Sequence, residues 1–243
     1  MTVHALPVEI CLDCGPQLAA DCAAAAAGGA HTIEFCRDMA LQGLTPTGAD
    51  LTVARAQFPR AGLYPMIRPR AGDFAYSGAE ITRMIEQIAQ AADHGADGVV
   101  FGALRGGAPD TAALARLLAA ARSRGLRSTF HRAFDALDDA AAGLDVLIDF
   151  GVDRVMTSGT PWGSSGGAAA GAPQLAGLIA QAAGRIGIVL GGGIAAATLP
   201  ALLQQLPLAA APVSVHAYGS VLSDGRVDAA KVQALVQAAQ FDG

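Results

Sequence analysis

Several short apolar stretches of this chain carry acids, thiols and imidazoles at every second position. Glu9, Cys11 and Asp13 alternate with Ile10 and Leu12, and Glu34 and Cys36 alternate with Ile33 and Phe35. Ser214, His216 and Tyr218 alternate with Val213 and Val215. In Ser128-Thr129-Phe130-His131, Thr129 and His131 share one face, Phe130 and Arg132 take the other, and Asp135 follows. Successive side chains of a strand point to opposite faces, so each stretch reads as a strand with one apolar and one polar face. Two further stretches end in polar groups: Arg68 and Arg70 close one, and Thr157-Ser158 closes the other.

Ionisable groups gathered inside a fold cost several kcal/mol each unless they are paired. Two readings therefore stand side by side. One is an inert Glu–Arg network that fixes register. The other is a site of shifted pKa values that moves protons or binds a metal. In the second reading Glu9, Glu34, Arg68, His131 and His216 form a catalytic set. Arg68 holds the anionic group of a small metabolite, the histidines flank it, and the glutamates orient them or act as base. Arg70, Asp73, Thr157, Ser158, Gly192 and Gly193 are the expected substrate-binding residues. The last two belong to the Gly191-Gly192-Gly193 turn, whose N–H groups suit an anion.

The thiols are weighed separately. Cys11-Leu12-Asp13-Cys14 is formally C-x-x-C, but residues three apart on a strand face opposite ways. Cys22 sits among alanines and reads as core. Cys11 and Cys36 lie on strands that can be neighbours. They are either packing residues or a thiolate pair suited to a soft ion such as Cu(I).

The elements that position these groups alternate along the chain. Strands are expected at Val8–Asp13, His31–Cys36, Gly62–Ile67, Gly98–Gly102, Leu126–Arg132, Asp153–Thr157, Ile186–Leu190 and Val213–Tyr218. Helices are expected over Gln17–Ala27, Ala49–Phe58 behind Thr47 as cap, Gly78–His94, and from a cap at Asp110 through Arg124. Others follow over Leu137–Phe150, Leu175–Ala183, Ala195–Gln205 and Val227–Phe241. Ile81, Met84, Ile85 and Ile88 give Gly78–His94 a helical apolar stripe. Ser158–Pro173, rich in Gly, Ser and Ala, reads as a mobile loop.

Eight strands alternating with helices predict an α/β fold, a (β/α)8 TIM barrel forming a single domain over residues 1–243. The length of 243 residues suits it. An open doubly wound sheet is the runner-up, but no G-x-G-x-x-G follows the first strand. In a barrel the polar strand ends would meet at one mouth. A net charge of −5 argues against nucleic acid and anionic membranes as partners. Without a basic and apolar leader at Met1–Val8, and with all four cysteines in the first 36 residues, a cytoplasmic protein with reduced thiols is expected.

Glu9-Ile10-Cys11, Ile33-Glu34-Phe35-Cys36, Gly43-Leu44-Thr45-Pro46-Thr47 and Met66-Ile67-Arg68-Pro69-Arg70-Ala71-Gly72-Asp73-Phe74 resemble the CutC, or copper homeostasis, family. So do Thr129-Phe130-His131-Arg132-Ala133-Phe134-Asp135, Arg154-Val155-Met156-Thr157-Ser158-Gly159, Gly191-Gly192-Gly193 and Val215-His216. The resemblance implies a TIM barrel in the cytoplasm, associated with copper handling; a homo-oligomer is expected. It implies Cys11 and Cys36 as copper ligands. An enzyme acting on a small anionic metabolite is the alternative.

Overall fold

The structure is a computed structural model that describes residues 3–242. Eight parallel strands form the sheet: β1 (Val8–Asp13), β2 (Thr32–Cys36), β3 (Leu63–Pro65), β4 (Gly98–Phe101), β5 (Arg127–Phe130), β6 (Arg154–Thr157), β7 (Gly187–Leu190) and β8 (Val213–Ala217). Hydrogen bonds link them in the order β3-β2-β1-β8-β7-β6-β5-β4. The ends of that order meet as well. Met66 bridges Val100, and Ile67 N–H donates to the Val100 carbonyl at 2.7 Å. The expected TIM barrel is therefore the observed fold, and the open sheet is excluded.

A helix follows each strand: α1 (Leu18–Ala27), α2 (Gly48–Gln57), α3 (Gly78–Asp93), α4 (Thr111–Ser123), α5 (Ala140–Asp149), α6 (Ala172–Ala182), α7 (Leu199–Leu203) and α8 (Ala229–Ala238). Side chains fix several of the starts. Thr47 with Asp50, and Ser77 with Glu80, form reciprocal capping boxes. Asp110, Asp139 and Asp228 accept bonds from the free N–H groups of α4, α5 and α8. Along α3 the buried residues are Ile81, Met84, Ile88 and Ala91, the face that spacing by three and four presents to the sheet.

Outward strand residues such as Ile10, Ile33, Phe101, Val155 and Ile188 pack under the helices in one extensive apolar cluster. A second, small cluster of Cys11, Cys36, Tyr64, Met66 and Val100 fills part of the barrel interior. The pleat thus separates two environments.

Four segments depart from the sequence-based expectation. Ser158–Pro173 contains a helical turn at Gly167–Ala170, and α6 begins at Ala172 with Pro173 in its first turn. Proline suits that place because a helix start leaves its N–H unpaired anyway. The expected Leu137 helix starts only at Ala140, because Arg132–Ala136 form a 3₁₀ turn first. The expected Ala195–Gln205 helix contracts to Leu199–Leu203. Beyond α8 the chain leaves the helix, and Gln240–Asp242 pairs antiparallel with Val3–Ala5.

Candidate functional site

At the deepest level of the barrel lies an ion network. Glu9 is fully enclosed and accepts Arg154 Nη2 at 2.9 Å and Thr32 Oγ1 at 3.0 Å. Arg154 also donates through Nε to Thr129 Oγ1 at 3.0 Å, and its guanidinium lies over the Tyr64 ring at 4.3 Å. His216 Nδ1 stands between two carboxylates, 3.1 Å from Glu9 Oε1 and 3.2 Å from Glu34 Oε2. Glu9, Glu34 and His216 are therefore brought together as the alternation of their strands implied.

The network splits the acids. Burial works to raise Glu9, but Arg154 and then His216 outweigh it and hold the carboxyl down at about 2. Glu34 lacks a direct arginine, so burial dominates and raises it to about 7 against the pull of His216. Burial alone would lower His216, but Glu34 and Glu9 together raise it. Glu34 and His216 thus stand 3.2 Å apart with both of their pKa values raised.

Above this floor stand the sulfurs. Cys11 Sγ and Cys36 Sγ are 3.7 Å apart, and both thiols are free. The Met39 thioether lies 3.0 Å from Cys36 Sγ. Ligand atoms of Cys11, Glu34 and His216 fall within 4.8 Å of one another, a spacing a metal ion can bridge. The hydrogen bond to Cys36, then burial, then the nearby acids keep the Cys11 proton on well above the usual thiol range. Gly43 allows the loop after β2 to close on this pair. Its φ is +82°, and a Cβ there would stand 2.9 Å from Cys36 Sγ. The C-x-x-C pattern is not a clamp, since Cys14 packs in the outer cluster while Cys11 belongs to the inner one.

The upper wall encloses a pocket of about 510 Å³ that reaches down to Cys11, Glu34 and Cys36. His131 lines it. Its Nδ1 accepts the Ala133 N–H at 3.1 Å, so the proton of the neutral ring sits on Nε2. Burial, reinforced by the Arg68 charge, lowers its pKa to about 3. Its ring is thereby held neutral, with the Nε2 proton available to donate.

Other expected site residues find their partners within the protein. Arg68 lines the pocket, yet Nη1 donates to the Leu41, Gln42 and Gly43 carbonyls and Nη2 to the Gly72 carbonyl. It straps the loop after β2 to the loop after β3. Arg70 turns away to Glu80, at 2.5 Å, and to Asp73, at 2.9 Å, so neither Arg70 nor Asp73 reaches the pocket. Thr157 and Ser158 lie behind the wall, bonded to buried Asp135 at 2.5 and 2.9 Å. Gly192 and Gly193 do line it.

Sequence reasoning missed Arg154, Arg132, Met39 and Trp162. The period-two rule would have found Arg154, which shares a face of β6 with Met156. Arg132 faces the pocket because β5 ends at Phe130 and the 3₁₀ turn rotates the next residues. Trp162, the sole tryptophan of the chain, marked its loop by rarity alone.

Comparison with known proteins agrees with the architecture. The profile of the CutC family matches residues 6–217. The family protein CutC of Xanthomonas axonopodis pv. citri is 39% identical over 244 residues, covering 93% of this chain and 99% of that protein. That of Caulobacter vibrioides is 38% identical over 84% of this chain and 79% of its own length. Among solved structures, a Streptococcus agalactiae CutC named for copper homeostasis is 28% identical with a TM-score of 0.75, covering 88% of this chain and 98% of that one. A 3-keto-L-gulonate-6-phosphate decarboxylase from Vibrio cholerae shares the barrel at 14% identity and a TM-score of 0.64, covering 97% of this chain and 98% of that one.

Proposed function

The chain belongs to the CutC family, and on that premise we propose that it serves copper homeostasis by binding Cu(I) between Cys11 and Cys36. The observation that carries this reading is the 3.7 Å separation of two buried, unoxidised thiol sulfurs on adjacent strands. Thiolate and thioether donors select soft ions, and Met39 adds a third sulfur beside Cys36. His216 and Glu34 stand close enough to Cys11 to complete the ligand set. Because the Cys11 thiol is strongly held in its protonated form, metal binding releases a proton and tightens as pH rises. Four free thiols suit a reducing compartment, in accord with a cytoplasmic site of action. No helix among the described residues is long and apolar enough to cross a membrane.

The test is competition for Cu(I) against a chromophoric chelator under anaerobic conditions. The parent chain should strip copper from the chelator. The Cys11→Ser, Cys36→Ser double variant should not, while keeping its circular dichroism spectrum. Equal affinity in the two proteins would refute the assignment.

One observation favours a second reading, acid–base turnover of a small anionic metabolite in the same pocket. Glu34 titrates at about 7 beside His216, where a general acid or base works best.

A further inference from the structure

We propose that the barrel mouth binds a small phosphomonoester with an apolar body, held by Arg132 and the N–H groups of Gly192, Gly193 and Ile194. This inference is independent of copper. It rests on the second reading in sharing its pocket, for which it names the ligand class.

The anchor is Arg132. Its Nε is bonded to Asp135 Oδ2 at 2.8 Å and its Nη2 to Ser158 Oγ at 3.0 Å. The same Asp135 is fixed by Thr157 and Ser158, so the guanidinium is held by a buried frame. Nη1 donates to no protein atom among the described residues. It lies against the glycine turn: a methyl group built on Gly192 would stand 3.7 Å from both Arg132 Cζ and Nη1. Gly192 and Gly193 have φ of +91° and +72°. Among the described residues, the N–H groups of Gly192, Gly193 and Ile194 have no acceptor, although Gly191 N–H does, in the Thr157 carbonyl. Left-handed glycines with free N–H groups beside an arginine make a concave site for a multiply charged oxyanion. The loop after the seventh strand is also where many barrels of this kind hold phosphate.

An independent observation points to a ligand. His131 is 4% exposed and lines the same pocket, and its Nε2 has no partner among the described residues. The tautomer fixed by Ala133 makes that atom a donor, a buried N–H without an acceptor in the wall beside the pocket. Leaving a buried donor unpaired is costly, and a ligand oxygen that reached it would relieve that cost. The body of the ligand is set by the walls: Phe74, Met66, Met156, Trp162 and Tyr218 leave the cavity mostly apolar. Trp162 stacks over Arg132 and meets Phe74 edge-on, forming one side of the slot.

The probes are inorganic phosphate and phenyl phosphate, titrated into the full chain in chelator-treated, copper-free buffer and followed by amide NMR. Phenyl phosphate should move the Gly192, Gly193 and Ile194 resonances and bind at least about tenfold tighter than inorganic phosphate, since the ring adds apolar contact. Arg132→Met should weaken it by at least about tenfold, and Arg132→Lys by less. Phenol should leave the three amides in place. Should Arg132→Met fail to fold, the amide shifts of the unmodified chain decide alone. The proposal falls if millimolar phenyl phosphate leaves those amides unmoved, or if Arg132→Met binds it as the parent does. Because the readout is binding, a chain that binds phenyl phosphate yet turns over no phosphomonoester supports the site and refutes the acid–base reading separately.

Discussion

His131 and His216 have the same side chain in the same barrel and opposite fates. His216 is flanked by two carboxylates and its pKa rises; His131 sits near Arg68 among aromatic rings and its pKa falls to about 3. Sequence alternation placed both on inward faces. It could not say which would be charged, because charge depends on partners from other strands. The arginines show the same limit. Arg68 and Arg70 looked like anion ligands at a strand end, yet their partners are loop carbonyls, Asp73 and Glu80. Glu34 provides the residue-scale prediction. The folded chain keeps its proton up to about pH 7, whereas the unfolded chain releases it near 4.5. Between those values the folded state binds more protons, so this carboxyl makes stability fall as pH climbs. Urea unfolding of Glu34→Gln beside the parent, from about pH 5 to about pH 8, should show the variant gaining on the parent with rising pH. A difference that stays flat would mean that Glu34 does not titrate there.

At the scale of elements, strand positions were legible and loop conformations were not. Val8–Asp13 matches the expected strand end for end, because an alternating run bounded by Pro7 and Gly15-Pro16 allows little else. The 3₁₀ turn at Arg132–Ala136 was hidden because His131 caps it through a ring nitrogen, a role its sequence neighbours do not reveal. The loop after β2 shows how closely one element can depend on another's side chain. Gly43→Ala would add a Cβ 3.1 Å from Cys36 Cβ in a left-handed conformation. It should destabilise the chain by about 1–3 kcal/mol and weaken Cu(I) binding as Cys36 is displaced. Parent-like unfolding and copper affinity in Gly43→Ala would show that the loop yields without moving the thiol.

Across the whole molecule, one ion pair reaches from β6 to β1, strands that are not neighbours in the ring. Arg154 and Glu9 tie residues 145 apart in sequence through the barrel interior. Arg154→Met leaves Glu9 enclosed beside Glu34 with its cationic partner removed, and should cost about 3–5 kcal/mol in chemical denaturation. Adding Glu9→Gln should restore part of that loss, and an unrecovered double variant would show that packing of the long side chain dominates. The barrel itself was legible from eight alternating units of the right total length. The pairing of Val3–Ala5 with Gln240–Asp242 was not, since it joins segments at opposite ends of the chain.

The same cross-barrel layer governs traffic. Glu9, Arg154 and Tyr64 close the floor beneath the sulfurs, so the pocket is a blind shaft reached from the mouth. Occupants of such a shaft form a queue in which the last to arrive is the first to depart. A phosphomonoester seated against Arg132 would stand between a copper ion at Cys11 and Cys36 and the solvent. The residence time of the metal would then be set by how often the anion leaves, and no contact between the two would be needed.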